Sequence, residues 1–256
     1  MDKSRKALKK SFSLSMLILF LAVAFLIALS VGAVNMSFKE IIRILFMGEE
    51  STNRSILLDI RLPRVLISAI LGAGLSAVGG VMQGIFKNPL VDSYTLGMSS
   101  GASLGAVISI VTGINIKVFG YGTTGIFAFI GAICTLFFVY FLSKTKNRVS
   151  INSLLLSGVA ASYFLASIIS LIMMLNRNKI EHIVFWTMGS LASATWSKLY
   201  LSSIFIIPGI LILCFFSREL NIMSLGEETA HYLGINTEKL KYSLLILCSL
   251  DRKSVV

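Results

Sequence analysis

The chain has 256 residues, of which 55% are hydrophobic and only 14% charged, and its mean hydropathy is +0.85. Those totals exclude an ordinary soluble globular domain and indicate an all-α polytopic membrane protein. The formal charge of +11 comes from 23 basic residues scattered through termini and loops with no aromatic-interleaved patch, which speaks for membrane topology and against a nucleic-acid partner.

Taken in chain order, "DKSRKALKK" precedes an uncharged run over Phe12–Val34. The run is too long for the core of a cleaved signal peptide, so it is expected to stay as a first membrane helix, its basic flank holding the N-terminus in the cytoplasm. Later spans then alternate, and basic residues favour the inside by a modest margin. In the outer segment Asn35–Arg64, "SFKEIIRILFMG" has the spacing of a short amphipathic helix. It ends in "RLPR", where Arg61 and Arg64 admit two readings. They snorkel to headgroups and anchor a helix end, or they pair with carboxylates of an external protein.

A second span, Val65–Phe86, carries Gly72, Ser76 and Gly80 four residues apart, and a third, Tyr94–Ile116, carries Gly97, Gly101 and Gly105 at the same spacing. Small residues so placed form one face on which helices approach closely. Gln83, near the inner end of its span, either lines a pathway or bonds a neighbouring helix. Asn88-Pro89 is expected to break the helix into an unwound or re-entrant turn. Further spans are expected at Val118–Leu142, Ile151–Leu175 and Leu199–Phe216, and a seventh starts at Tyr242, so about six full transmembrane helices plus the start of another are predicted. Cys134, Cys214 and Cys248 each sit alone in apolar sequence and suggest neither disulfide nor metal site.

Before that seventh span lies a polar island, "SLGEETAHYLGI". Ser224 and Glu227 have capping-box spacing, Glu227 and Glu228 suit a helix N-terminus, and Gly234 suits a left-handed C-cap. Leu225, Ala230 and Leu233 would make an apolar stripe on a helix of about two turns, roughly 12 Å long. Such an element is a connector resting on the bilayer or a ball-end that seats in a partner.

No nucleotide-cradling loop G-x-x-x-x-G-K-[ST] and no H-E-x-x-H occurs, and His182 and His231 fall on opposite sides of the predicted membrane. None of the six spans contains Asp, Glu, Lys or Arg. A secondary carrier or channel is the competing class, but ion-coupled carriers usually keep ionisable groups inside the membrane. A membrane-embedded enzyme lacks any catalytic constellation here. Energy for uphill transport would therefore enter through a cytoplasmic partner.

Four blocks in order, "RLPRVLISAILGAGLSAVGGVMQGIFKNPLVDSYTLGMSSGASLGA" (Arg61–Ala106), "LLLSGVA" (Leu154–Ala160), "WTMGSLASATW" (Trp186–Trp196) and "LNIMSLGEETAHYLGI" (Leu220–Ile235), resemble the FecCD-type permeases of ABC importers, which include the vitamin B12 permease. The resemblance implies a ten-helix permease fold for iron-siderophore, haem or cobalamin transport in the bacterial cytoplasmic membrane. It implies a cytoplasmic ATPase dimer, an extracytoplasmic substrate-binding protein and a second permease subunit, identical or related, as partners within the lipid bilayer. The chain itself would bind no cofactor, ATP and Mg being used by the ATPase. By position, Arg61 and Arg64 match outer arginines that receive the binding protein's carboxylates. Leu225, Gly226, Glu227, Glu228, Ala230, Leu233 and Gly234, within the segment 221–236, match the element that couples to the ATPase. Ser150, Asn152 and Ser153 match the region of a cytoplasmic gate, to which Gln83, Asn88 and Pro89 are added as pathway candidates.

Against this pattern the chain ends "LCSLDRKSVV", with charges about ten residues into an apolar helix, each worth roughly 2.5–3.5 kcal/mol at a helix centre. "DRKSVV" resembles a translated sequencing adapter. Residues 1–250 are therefore expected to be an incomplete permease domain and 251–256 a non-native tail.

Overall fold

The computed structural model describes residues 2–48, 53–92, 94–114, 122–145 and 148–252, with the side chains of 2–8, 10, 145, 148, 149, 227 and 249–252 outside that description. Of the expected tail, residues 253–256 lie outside it, and Asp251 and Arg252 continue the last helix. The chain divides into two compact units, residues 1–69 with 191–200, and residues 70–190 with 201–256.

In the first unit, α1 (Asp2–Ser30) is a long apolar helix exposed along most of its length, Phe12, Leu17 and Phe20 among the exposed side chains, as suits a helix facing lipid. Its end packs Leu29 with Met36, Ile41, Ile44 and Leu57 in one small core. Ser37 caps α2 (Phe38–Ile42), its hydroxyl accepting from Glu40 N. The helix widens into a π-turn over Arg43–Met47 that Gly48 closes in the left-handed conformation. Ile41 and Ile44 are buried while Lys39 and Arg43 face out, so the amphipathic reading of this stretch holds. A second π-turn, Ile56–Arg61, leads directly into α3 (Leu62–Phe86). Pro63 has no N–H to return to the turn before it, and the looser turn falls at that point.

The second unit is built on the tight pairing of α4 (Met98–Thr112) and α5 (Thr123–Ser143). A Cβ on Gly105 would lie 2.1 Å from Phe127 O, and one on Gly101 would lie 2.6 Å from Gly131 O. Only glycine permits that approach. Ala102, Ala106, Ala128 and Ala132 continue the small-residue seam, against which Trp186 packs. Gly101 and Gly105 therefore do what their spacing predicts, while Gly97 stands left-handed just before α4, where a Cβ would lie 3.0 Å from Gly158 O. Gly131 on α5 and Gly158 on α6 (Ile151–Leu175) do the same work outside those triples. A Cβ on Gly158 would lie 2.3 Å from Thr95 O. The companion set on α3 behaves differently, for Cβ atoms at Gly72 and Gly80 would meet nothing within 4 Å, and Ser76 Oγ turns back to Gly72 O at 2.8 Å. Among the described residues that face packs no helix.

α4 is shorter than its expected span. Gly97 (φ 74) and Gly113 (φ 71) end it on either side, and the Asp92 carboxylate accepts from Tyr94 N and Thr95 N, holding the residues before it in a turn. At about 22 Å it falls short of the ~30 Å hydrocarbon core. Residues 115–121, where two spans were expected to meet, lie outside the described residues. Among the described residues, five helical stretches have the length and composition to cross a membrane: 11–30, 56–86, 123–143, 151–175 and 196–215.

A two-residue hairpin, β1 (Lys144–Thr145) against β2 (Arg148–Val149), turns α5 into α6. Past α6 come α7 (Ile180–Met188) and α8 (Trp196–Phe215). Lys179 reaches from the turn before α7 to donate to Ile110 O (3.2 Å) and Val111 O (2.7 Å), the end carbonyls of α4. The chain closes with α9 (Ser217–Leu225), α10 (Glu227–Tyr232) and α11 (Thr237–Arg252). One core gathers Met82, Val91, Leu96, Leu136, Leu154, Met223, Leu240 and Leu244.

Candidate functional site

Three groups of predicted residues can be placed. The first is the polar island. Ser224 is not its cap: it belongs to the last turn of α9, where its hydroxyl donates to Asn221 O at 2.7 Å. Burial of Met223 in the main core extends α9 through Ser224 and Leu225, so the capping box is not formed. The break falls instead on Gly226, at φ 147 and ψ 144, a conformation open almost only to glycine. α10 then runs six residues, about 9 Å. Gly234 closes it as expected, left-handed at φ 84, with Gly234 N donating to His231 O and Ile235 N to Ala230 O, both at 3.0 Å.

The apolar stripe is divided between two tasks. Ala230 is fully buried and seats α10 on its own unit, while Leu225, Tyr232 and Leu233 are exposed. Glu228 is exposed too, and the side chain of Glu227 lies outside the described residues. α9 and α11 anchor the small helix on either side through Met223, Leu220, Leu240 and Leu244, all set in or against the main core. At the base of α11, Tyr242 meets the Tyr140 ring of α5 with centroids 5.4 Å apart, and Lys241 pairs with Glu238 at 3.8 Å. The result is a short knuckle between two glycines that exposes apolar side chains and the Glu228 carboxylate.

The second group is the pair of arginines. Arg61 is 8% exposed and donates through Nη1 to Leu29 O (2.6 Å) and Ser30 O (3.2 Å) and through Nη2 to Val34 O. Arg64 is half-buried and donates through Nε to Leu191 O and through Nη2 to Ala192 O, both at 3.1 Å. Trp196 Nε1 donates to Leu58 O at 3.0 Å. Three stretches distant in sequence, 29–34, 58–64 and 191–196, are thus tied together within the first unit.

The third group is the set of gate candidates. α3 ends at Phe86, with Lys87 left-handed at φ 49, and the Asn88-Pro89 break is realised as a turn in which Leu90 N donates to Asn88 Oδ1 at 2.9 Å. Gln83 Nε2 donates to Pro89 O at 3.1 Å, so it closes its own turn. Ser150 is the N-cap of α6, accepting from Ser153 N at 3.1 Å and donating to Ser153 Oγ at 2.9 Å, with Asn152 exposed beside them. These bonds are local in each segment. What the two segments share is the core behind them, through Met82 and Val91 on one side and Leu154 on the other.

Comparison with known proteins adds to this geometry. The profile of the FecCD transport family matches residues 19–255. The ABC transporter permease protein YvrB of Bacillus subtilis is 36% identical over 246 residues, covering 93% of this chain and 70% of that protein. The hemin transport system permease protein HmuU of Yersinia pestis is 33% identical over 242 residues, again covering 93% and 70%. Among solved structures, an inward-facing conformation of a metal-chelate type ABC transporter superposes with a TM-score of 0.81 at 28% identity, over 96% of this chain and 75% of that one.

Proposed function

The chain belongs to the FecCD transport family, and from that premise we propose that it is the membrane-spanning permease subunit of an ATP-driven importer for an iron-siderophore, haem or cobalamin-type chelate. It provides the translocation pathway in the bacterial cytoplasmic membrane, N-terminus inside, and works with a second permease subunit around that pathway. A cytoplasmic ATPase dimer uses ATP and Mg, and an external binding protein delivers the chelate.

The observation that carries this reading is α10. A six-residue helix between Gly226 and Gly234, seated by Ala230, exposing Glu228 and Tyr232 and flanked by the exposed Leu225 and Leu233, is suited to a groove in a partner. Its anchors on α9 and α11 turn a push on the knuckle into a tilt of the helices behind it. ATP acts by favouring one arrangement of the permease over another, which requires different contacts in the two states. On the outer face, the binding protein's carboxylates are received around Arg61 and Arg64.

The test is association with the ATPase. Glu228→Arg, which reverses a charge on the exposed side of α10, should weaken it about tenfold, the scale of a lost charge pair at a rim. Unchanged association, measured with purified complexes, would overturn the coupling assignment.

A further inference from the structure

We propose that residues 38–47, α2 with the π-turn that continues it, are a membrane-surface anchor: an exposed apolar stripe enters the acyl region of the bilayer beside α1, while Lys39 and Arg43 meet phospholipid headgroups. The proposal needs α1 to cross the membrane and is independent of what the chain transports.

The segment carries apolar side chains on two faces, and its own unit uses only one of them. Ile41 and Ile44 turn inward, into the small core with Leu29, Met36 and Leu57. Phe38, Ile42 and Phe46 recur every four residues on another face and are all exposed, Phe46 by 83% and the neighbouring Met47 by 77%. An aromatic ring left that bare does not hold the helix to its unit. One position along from the stripe, Lys39 and Arg43 are exposed at the same spacing. Glu40, the acidic side chain of α2, is taken up within the unit, where its Oε1 accepts from Asn53 Nδ2 at 2.7 Å. An apolar stripe bordered by cations is the pattern of a helix that lies in the plane of a membrane surface.

The place of the segment decides which partner meets it. α1 exposes apolar side chains along its length, and this exposure continues past its end through Val31 and Val34 to Phe38. Met36 N donates to Ser30 O at 3.1 Å, which turns the chain where α1 stops, and the shared core fixes α2 against that end. The stripe is therefore a continuation of the lipid-facing surface of α1, at the level where that helix leaves the hydrocarbon. Phospholipid phosphates lie just beyond this level, within reach of long cationic side chains whose stems stay on apolar surface. Anionic headgroups complement Lys39 and Arg43 in charge, and acyl chains complement Phe38, Ile42 and Phe46 in polarity.

The experiment uses the full chain in lipid nanodiscs, which leave both bilayer surfaces open. Phe46→Trp adds an emission to that of Trp186 and Trp196, read as the difference from the unaltered chain. Phosphatidylcholine brominated near the acyl carbonyl should quench the added emission at least about twofold, and aqueous acrylamide should quench it severalfold less than it quenches free tryptophan. Bringing phosphatidylglycerol to about a third of the lipid should deepen the bromine quenching, and Lys39→Gln with Arg43→Gln should abolish that increase. If Phe46→Trp does not fold, Met47→Trp replaces it with the same results expected. Added emission that brominated lipid leaves unchanged would overturn the anchor, with water as the neighbour where acrylamide quenches it and protein where neither quencher does. No response to phosphatidylglycerol, or a response that survives in the neutral variant, would overturn the headgroup role of Lys39 and Arg43.

Discussion

At Gly105 one methyl group decides how near two helices can lie. A Cβ there would fall 2.1 Å from Phe127 O, an atom of the α5 backbone that cannot swing aside as a side chain would. Gly105→Val should therefore force α4 and α5 apart and cost at least the ~1–3 kcal/mol typical of overpacking. Gly72→Ala, with nothing within 4 Å of the added methyl, should cost less than about 0.5 kcal/mol, the range of surface changes. Equilibrium unfolding of both variants in micelles checks the contrast, and equal effects would refute it. Both glycines belong to triples of identical spacing, so spacing is legible in the sequence while the partner surface is not. α4 finds its partner in the nearby Ala128–Gly131–Ala132 seam of α5. The same limit governs Arg61. Its place near a helix end was legible, but its close approach to Gly32, nearly thirty residues earlier, was not, and no local pattern records that contact.

At the scale of the element, the knuckle shows how two valid local signals compete. Ser224-x-x-Glu227 has capping spacing, and "SRELNIMSL" can also extend a helix; Met223, buried in the main core, selects the second. The break therefore moves two residues on, to Gly226, while Gly234 keeps its predicted role because its left-handed φ is a property of the backbone itself. Gly226→Ala must hold a non-glycine residue at φ 147 and ψ 144, which costs on the order of 1–3 kcal/mol. That strain falls on α10 rather than on the core behind it. Amide hydrogen exchange in residues 229–235 should accelerate about tenfold for each ~1.4 kcal/mol lost, while amides of α4 and α5 exchange as before. Acceleration throughout the second unit would mean that α10 is part of the global fold and is not a separately seated joint.

For the whole molecule, the five membrane-length stretches were legible because hydropathy is a one-dimensional signal, whereas the length of α4 depended on Gly97 and Gly113 adopting left-handed turns. The same spans carry the energetic argument. From Ser11 to Ser30, Val65 to Phe86, Thr123 to Ser143, Ile151 to Leu175 and Leu199 to Phe215 there is no Asp, Glu, Lys or Arg. Shifting a two-state permease from 1:99 to 99:1 needs about 5.5 kcal/mol of differential affinity. A proton or cation could supply this only through groups that bind it differently in the two states, and those stretches offer no carboxylate for that purpose. A partner gripping α10 can supply it from outside the bilayer. In proteoliposomes holding the complete complex, chelate should accumulate only with ATP on the side of the ATPase, and a protonophore should reduce the rate by less than about twofold, well below the effect of losing a coupled driving force. Accumulation that persists without the ATPase and collapses with the proton gradient would place the energy source within the spans and overturn this reading of the knuckle.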